Sequence, residues 1–255
     1  MAFQVAYYTD IGIKKKTNQD GLLLKTAKTP DGEIGLFAIC DGMGGLSHGE
    51  LASATVVRGL SDWFDNELPD ILETEGAGKE IPKALAERIR ELNEKIIQYG
   101  EASNTKLGTT ITALFIHYSS YFIIQIGDSR AYSINDRITK LTEDQTLVER
   151  ELKRGNITAE QARIDPRRNV LLQCVGATKK IDVVITSGEV RAGTLYMLCT
   201  DGFYHEIAEE EIHVNLNPRH LPDETRMKDK IVELVELVKQ RQETDNISVL
   251  LTKVM

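Results

Sequence analysis

Five aspartates stand at the edges of five apolar runs spread over the whole chain. Asp41 ends L-F-A-I-C and opens D-G-M-G-G. Asp201 ends M-L-C-T and opens D-G-F. Asp128 follows the run Tyr121 to Ile126 in I-G-D-S-R. Asp245 opens D-N-I-S-V-L, and Asp20 closes T-N-Q-D ahead of G-L-L-L. One such aspartate reads equally well as a tight turn with a surface carboxylate or as a cation ligand. Five gathered at strand ends would repel one another unless cations were bound between them. Carboxylates with the bare backbone carbonyl of Gly42 beside them suit a hard divalent ion, magnesium, manganese or calcium. Gly42, Gly44 and Gly45 are expected at positive φ, where backbone approaches a ligand closely. Two hard cations about 3.5–4 Å apart, bridged by a carboxylate, can generate a hydroxide and stabilise in-line displacement at phosphorus. Lys14 to Lys16, just ahead of Asp20, offer a cation for the phosphate; a solvated loop is the alternative reading of that run.

Other chemistries fail on the residues. None of the five histidines lies in a His-x-His or His-Glu-x-x-His cluster, which argues against a zinc hydrolase. A cysteine phosphatase needs arginine six positions after its cysteine. Leu46, Lys180 and His205 stand there after Cys40, Cys174 and Cys199. No Asp-x-Asp-x-Thr run supports an aspartyl-phosphate enzyme. G-A-G-K at Gly76 to Lys79 is not a phosphate-binding loop, because Glu73 occupies the place of the first glycine.

Positioning these residues takes many short strands. Phe3 to Tyr8, Leu22 to Leu24 and Leu36 to Cys40 read as strands, with a Pro30-Asp31-Gly32 turn between the last pair. Ser47 and Glu50 have capping-box spacing ahead of a helix from about Glu50 to Leu68. Pro69 to Lys79 reads as a loop, and Ile81 to Tyr99 as a second helix with Leu85, Ile89, Leu92 and Ile96 on one face. Strands are expected at Thr110 to Ile116, Tyr121 to Ile126, Ala131 to Ile134 and Ile138 to Leu141. Thr142 with Gln145 and Thr158 with Gln161 are further capping boxes, each opening a short helix. Strands return at Val183 to Thr186 and Thr194 to Cys199. Helices at Ala208 to Val214 and Arg226 to Arg241 precede a last strand, Ile247 to Thr252. This pattern predicts an α+β layered sandwich in one domain, 1–255, with the polar block 142–174 inserted over one end of the sheets.

The chain has 255 residues, 41% hydrophobic and 27% charged, an ordinary soluble composition. A net charge of −8 argues against nucleic acid or an anionic membrane as partner. No apolar stretch reaches the length of a membrane span. Cys40 and Cys199 lie inside apolar runs as small buried hydrophobes, and the odd cysteine count suits a reducing compartment. The first residues lack the basic region and apolar run of a signal peptide, so a cytoplasmic protein, expected to be monomeric, is predicted.

Taken in order, T-N-Q-D, D-G-M-G-G, L-G-T-T, I-G-D-S-R, C-T-D-G-F and D-N-I-S resemble the PPM family, the type 2C metal-dependent serine/threonine protein phosphatases, in its bacterial form. Each motif is weak alone; together they span Asp10 to Ser248 in the family's order. The resemblance implies a four-layer α-β-β-α sandwich with two central antiparallel sheets flanked by helices, and a metal centre of manganese or magnesium at one end. It implies that Asp41 bridges two ions. Asp201 and Asp245 would complete the first site, and Asp20 with the Gly42 carbonyl the second. A third ion, as in bacterial members, would sit between Asp128 and Asp201, and residues 142–174 would be the family's flap. Substrates would be phosphoproteins, in opposition to a serine/threonine kinase. Two departures stand out. Lys15 occupies the place of the arginine that grips the substrate phosphate, a point charge without a bidentate fork. Met43 stands where eukaryotic members carry histidine. Asp165-Pro166 also replaces the flap's usual His-Pro. Lys15 keeps open the reading of a catalytically weak relative that binds phosphoproteins without turning them over.

Overall fold

The computed structural model of the chain describes residues 2–43 and 48–255. Gly44, Gly45 and Ser47, and with them part of the expected glycine turn and the Ser47–Glu50 capping box, lie outside the described residues. The first strands are β1 (Phe3–Asp10), β2 (Gly21–Thr29) and β3 (Gly32–Cys40), followed by helices α1 (Gly49–Asn66), α2 (Leu68–Leu72) and α3 (Ala77–Ser103). Four strands follow, β4 (Ile111–His117), β5 (Ser120–Ile126), β6 (Arg130–Ile134) and β7 (Ile138–Lys140). Then come α4 (Leu147–Lys153), α5 (Ala159–Ile164), β8 (Val184–Glu189) and β9 (Leu195–Cys199). The chain ends through α6 (Asp201–Tyr204), α7 (Glu209–Asn215), α8 (Glu224–Gln240) and β10 (Ile247–Val254).

These strands make two five-stranded antiparallel sheets, ordered β1-β10-β9-β6-β7 and β2-β3-β4-β5-β8. Alternation along β3 shows how the layers form. Leu36, Ala38 and Cys40 pack toward α1 and α3, against Val56, Leu60, Trp63, Leu85 and Ile89. Phe37 and Ile39 face the other sheet, with Leu114, Ile123, Tyr196, Leu198 and Leu250. The outer face of that second sheet, with Met197, Cys199, Val249 and Leu251, is covered by Ile231, Leu234 and Val235 of α8. A sheet buried on both faces needs an unbroken apolar run, which is why β3 carries no polar side chain from Ile34 to Cys40. The four-layer α+β sandwich expected from the sequence is the observed architecture. Among the described residues no helix is long and apolar enough to cross a membrane.

Three local expectations need correction. Pro69 to Lys79 is not a loop: α2 occupies Leu68–Leu72, and α3 begins at Ala77 after Gly76 at φ +88°. Proline is tolerated in the first helical turn, and burial of Leu68 holds that turn in place. Thr142 with Gln145 is not a capping box. Thr146 caps α4 by accepting from the Glu149 N–H, while the Thr142 hydroxyl accepts from the Ala131 N–H and the Gln145 side-chain Oε1 from the Gly127 N–H. Gly42 is not at positive φ. A Cβ there would fall inside the contact distance of the Gln19 and Gly49 carbonyl oxygens, so close packing, not backbone hand, demands glycine. The Thr158–Gln161 capping box does form.

Candidate metal centre

Strand register delivers the aspartates to one edge. In the β2–β3 hairpin Gly21 pairs with Cys40, so Asp20 and Asp41 are the next facing positions beyond the ladder. In the other sheet Cys199 pairs with both Val249 and Arg130, which brings Asp201 beside the start of β10 and the β5–β6 turn. Asp245 lies just before β10, and Asp128 in that turn. The Thr200 hydroxyl donates to Asp20 Oδ2 at 3.2 Å and so ties the two sheets together at this edge.

The electrostatics show how tightly the set is gathered. Burial, then repulsion from Asp20, Asp201, Asp128 and Asp245, pushes the Asp41 carboxyl well above the usual carboxylate range. Burial likewise lifts Asp20 to about 7, helped by Asp201 and Asp245 and opposed by hydrogen bonds from Ser248 and Thr200. Asp128 is raised by burial and by Asp201 and Asp144. Lys15 reaches in from the β1–β2 loop, its Nζ 2.6 Å from Asp245 Oδ1. Burial draws the ammonium pKa down, but Asp245, Asp41 and Asp201 outweigh it and leave the value raised. The structure thus brings together every residue singled out from the sequence: Lys15, Asp20, Asp41, Gly42, Asp128, Asp201 and Asp245.

Among the described residues, no three of these carboxylates close around a point as a finished cation cage. Their chemistry nonetheless fits hard cations. Asp20 Oδ1 and Asp201 Oδ1 are buried acceptors without any hydrogen-bond partner. An unsatisfied buried carboxylate oxygen is costly unless a cation meets it. Arg130, two residues after Asp128, forks onto Asp144 rather than onto Asp128, Nη2 to Oδ2 at 2.6 Å. Asp165, ahead of Pro166 in the 142–174 block, is taken up by Arg167 at 2.8 Å, which holds its carboxyl down to about 2.

Residues 13–251 match the family model described as protein phosphatase 2C. The chain belongs to the protein phosphatase 2C family. Its members are metal-dependent serine/threonine protein phosphatases, and the resemblance seen in the six motifs is borne out. The serine/threonine phosphatase Stp of Listeria innocua is 34% identical over 211 residues, 81% of this chain and 80% of that protein. The serine/threonine phosphatase Stp1 of Staphylococcus aureus superposes with a TM-score of 0.86 at 26% identity, covering 100% of this chain and 96% of that one. The catalytic domain of the phosphatase PstP, solved with two manganese ions, superposes with a TM-score of 0.80 at 28% identity over 99% of both chains.

Several residues of this phosphatase's centre escaped the sequence reading. Asn246 stitches the site: its Oδ1 accepts from the Gln19 N–H at 2.9 Å, and its Nδ2 donates to the Ile11 and Thr17 carbonyls at 2.9 and 3.1 Å. Gln19 continues inward, its Nε2 donating to Glu50 Oε2 at 2.9 Å. Glu243 Oε1 accepts from the Thr244 and Asp245 N–H groups and fixes the turn that presents Asp245. Asn246 and Gln19 stand inside the D-N-I-S and T-N-Q-D motifs, so spacing pointed at them. Their partners, up to 235 residues away, could not be read from spacing.

Proposed function

We propose that this phosphatase hydrolyses phosphoserine and phosphothreonine in proteins at two divalent cations, manganese or magnesium, with a third, weaker ion beside them. The observation that carries this reading is the pair of buried, partnerless oxygens, Asp20 Oδ1 and Asp201 Oδ1, inside a set of mutually repelling carboxylates. Asp41, Asp201 and Asp245 would hold one ion, Asp20 and the Gly42 carbonyl the second with Asp41 between them, and Asp128 with Asp201 the third. Bound there, the cations would acidify a water and neutralise charge building on the phosphate oxygens.

The chain's own groups do the rest. Lys15 stands at the mouth of the carboxylate set, where its ammonium can take a phosphate oxygen that is not transferred. The thiols of Cys40, Cys174 and Cys199 are buried and pushed up, those of Cys174 and Cys199 to about 11 and 12, so none serves as a nucleophile. Met43 carries no proton for the leaving alkoxide, which takes it from water. The chain reads as one catalytic unit with residues 142–174 as its flap. It acts on phosphoproteins in the cytoplasm, as a monomer, in opposition to a serine/threonine kinase.

Manganese-dependent release of inorganic phosphate from a phosphoserine peptide tests the reading directly. Binding of the peptide without release, at saturating manganese, would leave the weak phosphoprotein-binding relative in its place. Lys15→Ala is expected to raise KM about ten- to hundredfold, the worth of a charge-assisted hydrogen bond, with a smaller loss in kcat. Lys15→Arg should restore binding through its planar fork. Steady-state kinetics on the same peptide check both; unchanged kinetics in Lys15→Ala would take the phosphate away from this lysine.

A further inference from the structure

Behind Asp128 lies a relay of side chains that holds no cation in the proposed centre. Tyr204, at the end of α6 and only 8% exposed, donates its hydroxyl to the Asp128 carbonyl at 3.1 Å. Arg130 lies over the Tyr204 ring, its Cζ 3.5 Å from the centroid. Arg130 is itself fixed by Asp144, with Nε at 3.0 and 3.1 Å from the two carboxylate oxygens, and its Nη1 donates to the Tyr132 hydroxyl at 3.1 Å. Asp144, 9% exposed, also meets Lys140 at 3.4 Å. It stands at the root of the 142–174 block. Arg130, Tyr204 and Asp144 together line a 390 Å³ cavity that Val148, Ala162 and Arg163 of that block also line.

The contacts are directional. A turn such as Gly127–Asp128, with Gly127 at φ +105°, has little to hold its carbonyl except a donor from another element. Among the described residues the one side-chain donor on the Asp128 carbonyl is the Tyr204 hydroxyl, which comes from the helical turn that begins with Asp201. The aromatic ring cannot tilt without leaving the guanidinium, and the guanidinium cannot shift without breaking its fork on Asp144.

We propose that Tyr204, clamped by Arg130 and Asp144, is a positioning residue that sets the distance between Asp128 and Asp201 and with it the affinity of the third cation. The flap root thereby reaches the weakest ion of the centre through two side chains. This rests on the reading of Asp128 and Asp201 as ligands of a third ion.

The test is manganese calorimetry on the intact chain and on Tyr204→Phe, Arg130→Lys and Asp128→Ala, with activity on an alkyl phosphoserine peptide read alongside. Tyr204→Phe deletes one hydroxyl and keeps the ring. It should weaken the low-affinity manganese phase about three- to tenfold, the range of one lost hydrogen bond, and leave the tight phases within about twofold. The lost kcat should return at high manganese. Arg130→Lys keeps the charge and loses the stacked plane, and should shift the same phase in the same direction. Asp128→Ala should abolish that phase. If Asp128→Ala abolishes it while Tyr204→Phe and Arg130→Lys leave it as in the parent, the positioning role is wrong. Equal weakening of tight and weak phases, or a kcat loss that manganese does not restore, overturns it too, since a purely structural tyrosine would behave so. If even Asp128→Ala leaves the weak phase intact, the third-ion reading itself fails.

Discussion

Asp41→Asn is expected to lower kcat on a phosphoserine peptide by about 10³-fold or more, with the fold and its thermal transition preserved. Asp41 leaves β3 where the ladder ends and feels Asp20, Asp128, Asp201 and Asp245 at once. In the proposed centre it serves two ions, and an amide there would remove a unit of charge from both. A loss of that size corresponds to about 4 kcal/mol of transition-state stabilisation, which is what charge placed at a phosphoryl centre can supply. Asp245→Asn should act in the same direction. The Asp41 backbone is held independently of its carboxylate. Its N–H donates to the Thr110 hydroxyl, and its carbonyl accepts from the Thr110 N–H and the Thr109 hydroxyl, all at 2.9 Å. The amide variant should therefore fold. Circular dichroism and a kcat at saturating manganese check the two halves of the expectation. A near-normal rate would reduce Asp41 to a turn residue.

Removal of cations should abolish turnover and expose the repulsion among the carboxylates as a pH-dependent loss of stability. In the unfolded chain these carboxyls titrate near about 4. In the fold Asp20 is lifted to about 7, and Asp41 and Asp128 lie above the ordinary range. Across that window the folded chain binds more protons than the unfolded one. The stability of the cation-stripped protein therefore falls as pH rises from about 4 through about 7, and the penalty is complete above the folded value. Manganese supplies the missing countercharge. It should raise the Tm by about 5–10 °C near pH 8, the effect of a ligand at about a hundred times its Kd on a domain of this size. Near about pH 5, where the folded carboxyls keep their protons, the rise should be much smaller. Scanning calorimetry with and without chelator measures both, and an equal rise at the two pH values would mean that the ions do not sit on these carboxylates.

Much of the centre could be read before the fold because apolar runs announce where strands stop. Asp41, Asp128 and Asp201 mark the ends of buried strands, and Asp20 and Asp245 mark beginnings, so one edge of a sandwich was implied. The Pro30-Asp31-Gly32 turn pinned the register that faces Asp20 with Asp41. What failed were places where tertiary contacts override local signals. Polar composition hid α2 and the start of α3, because one buried leucine and a proline at a permitted position suffice for a helical turn. Threonine and glutamine at capping spacing proved to be tied to β6 and to the β5–β6 turn instead. A four-residue helix at Asp201–Tyr204 is too short to show a period at all. The supporting side chains, Asn246, Gln19 and Tyr204, were silent because their work lies in partners far along the chain.

In the proposed mechanism the strand-end aspartates hold the cations that hydrolyse the phosphoester. Counting manganese on the purified chain by titration calorimetry, with Asp201→Asn beside it, tests that claim most directly. Asp201 carries one of the partnerless buried oxygens and is assigned to both the first and the third site. The parent chain should bind two ions tightly and one weakly. The variant should lose the weak ion and at least one tight ion, together with turnover on a phosphoserine peptide. Equal stoichiometry and affinity in parent and variant, with activity retained, would contradict it.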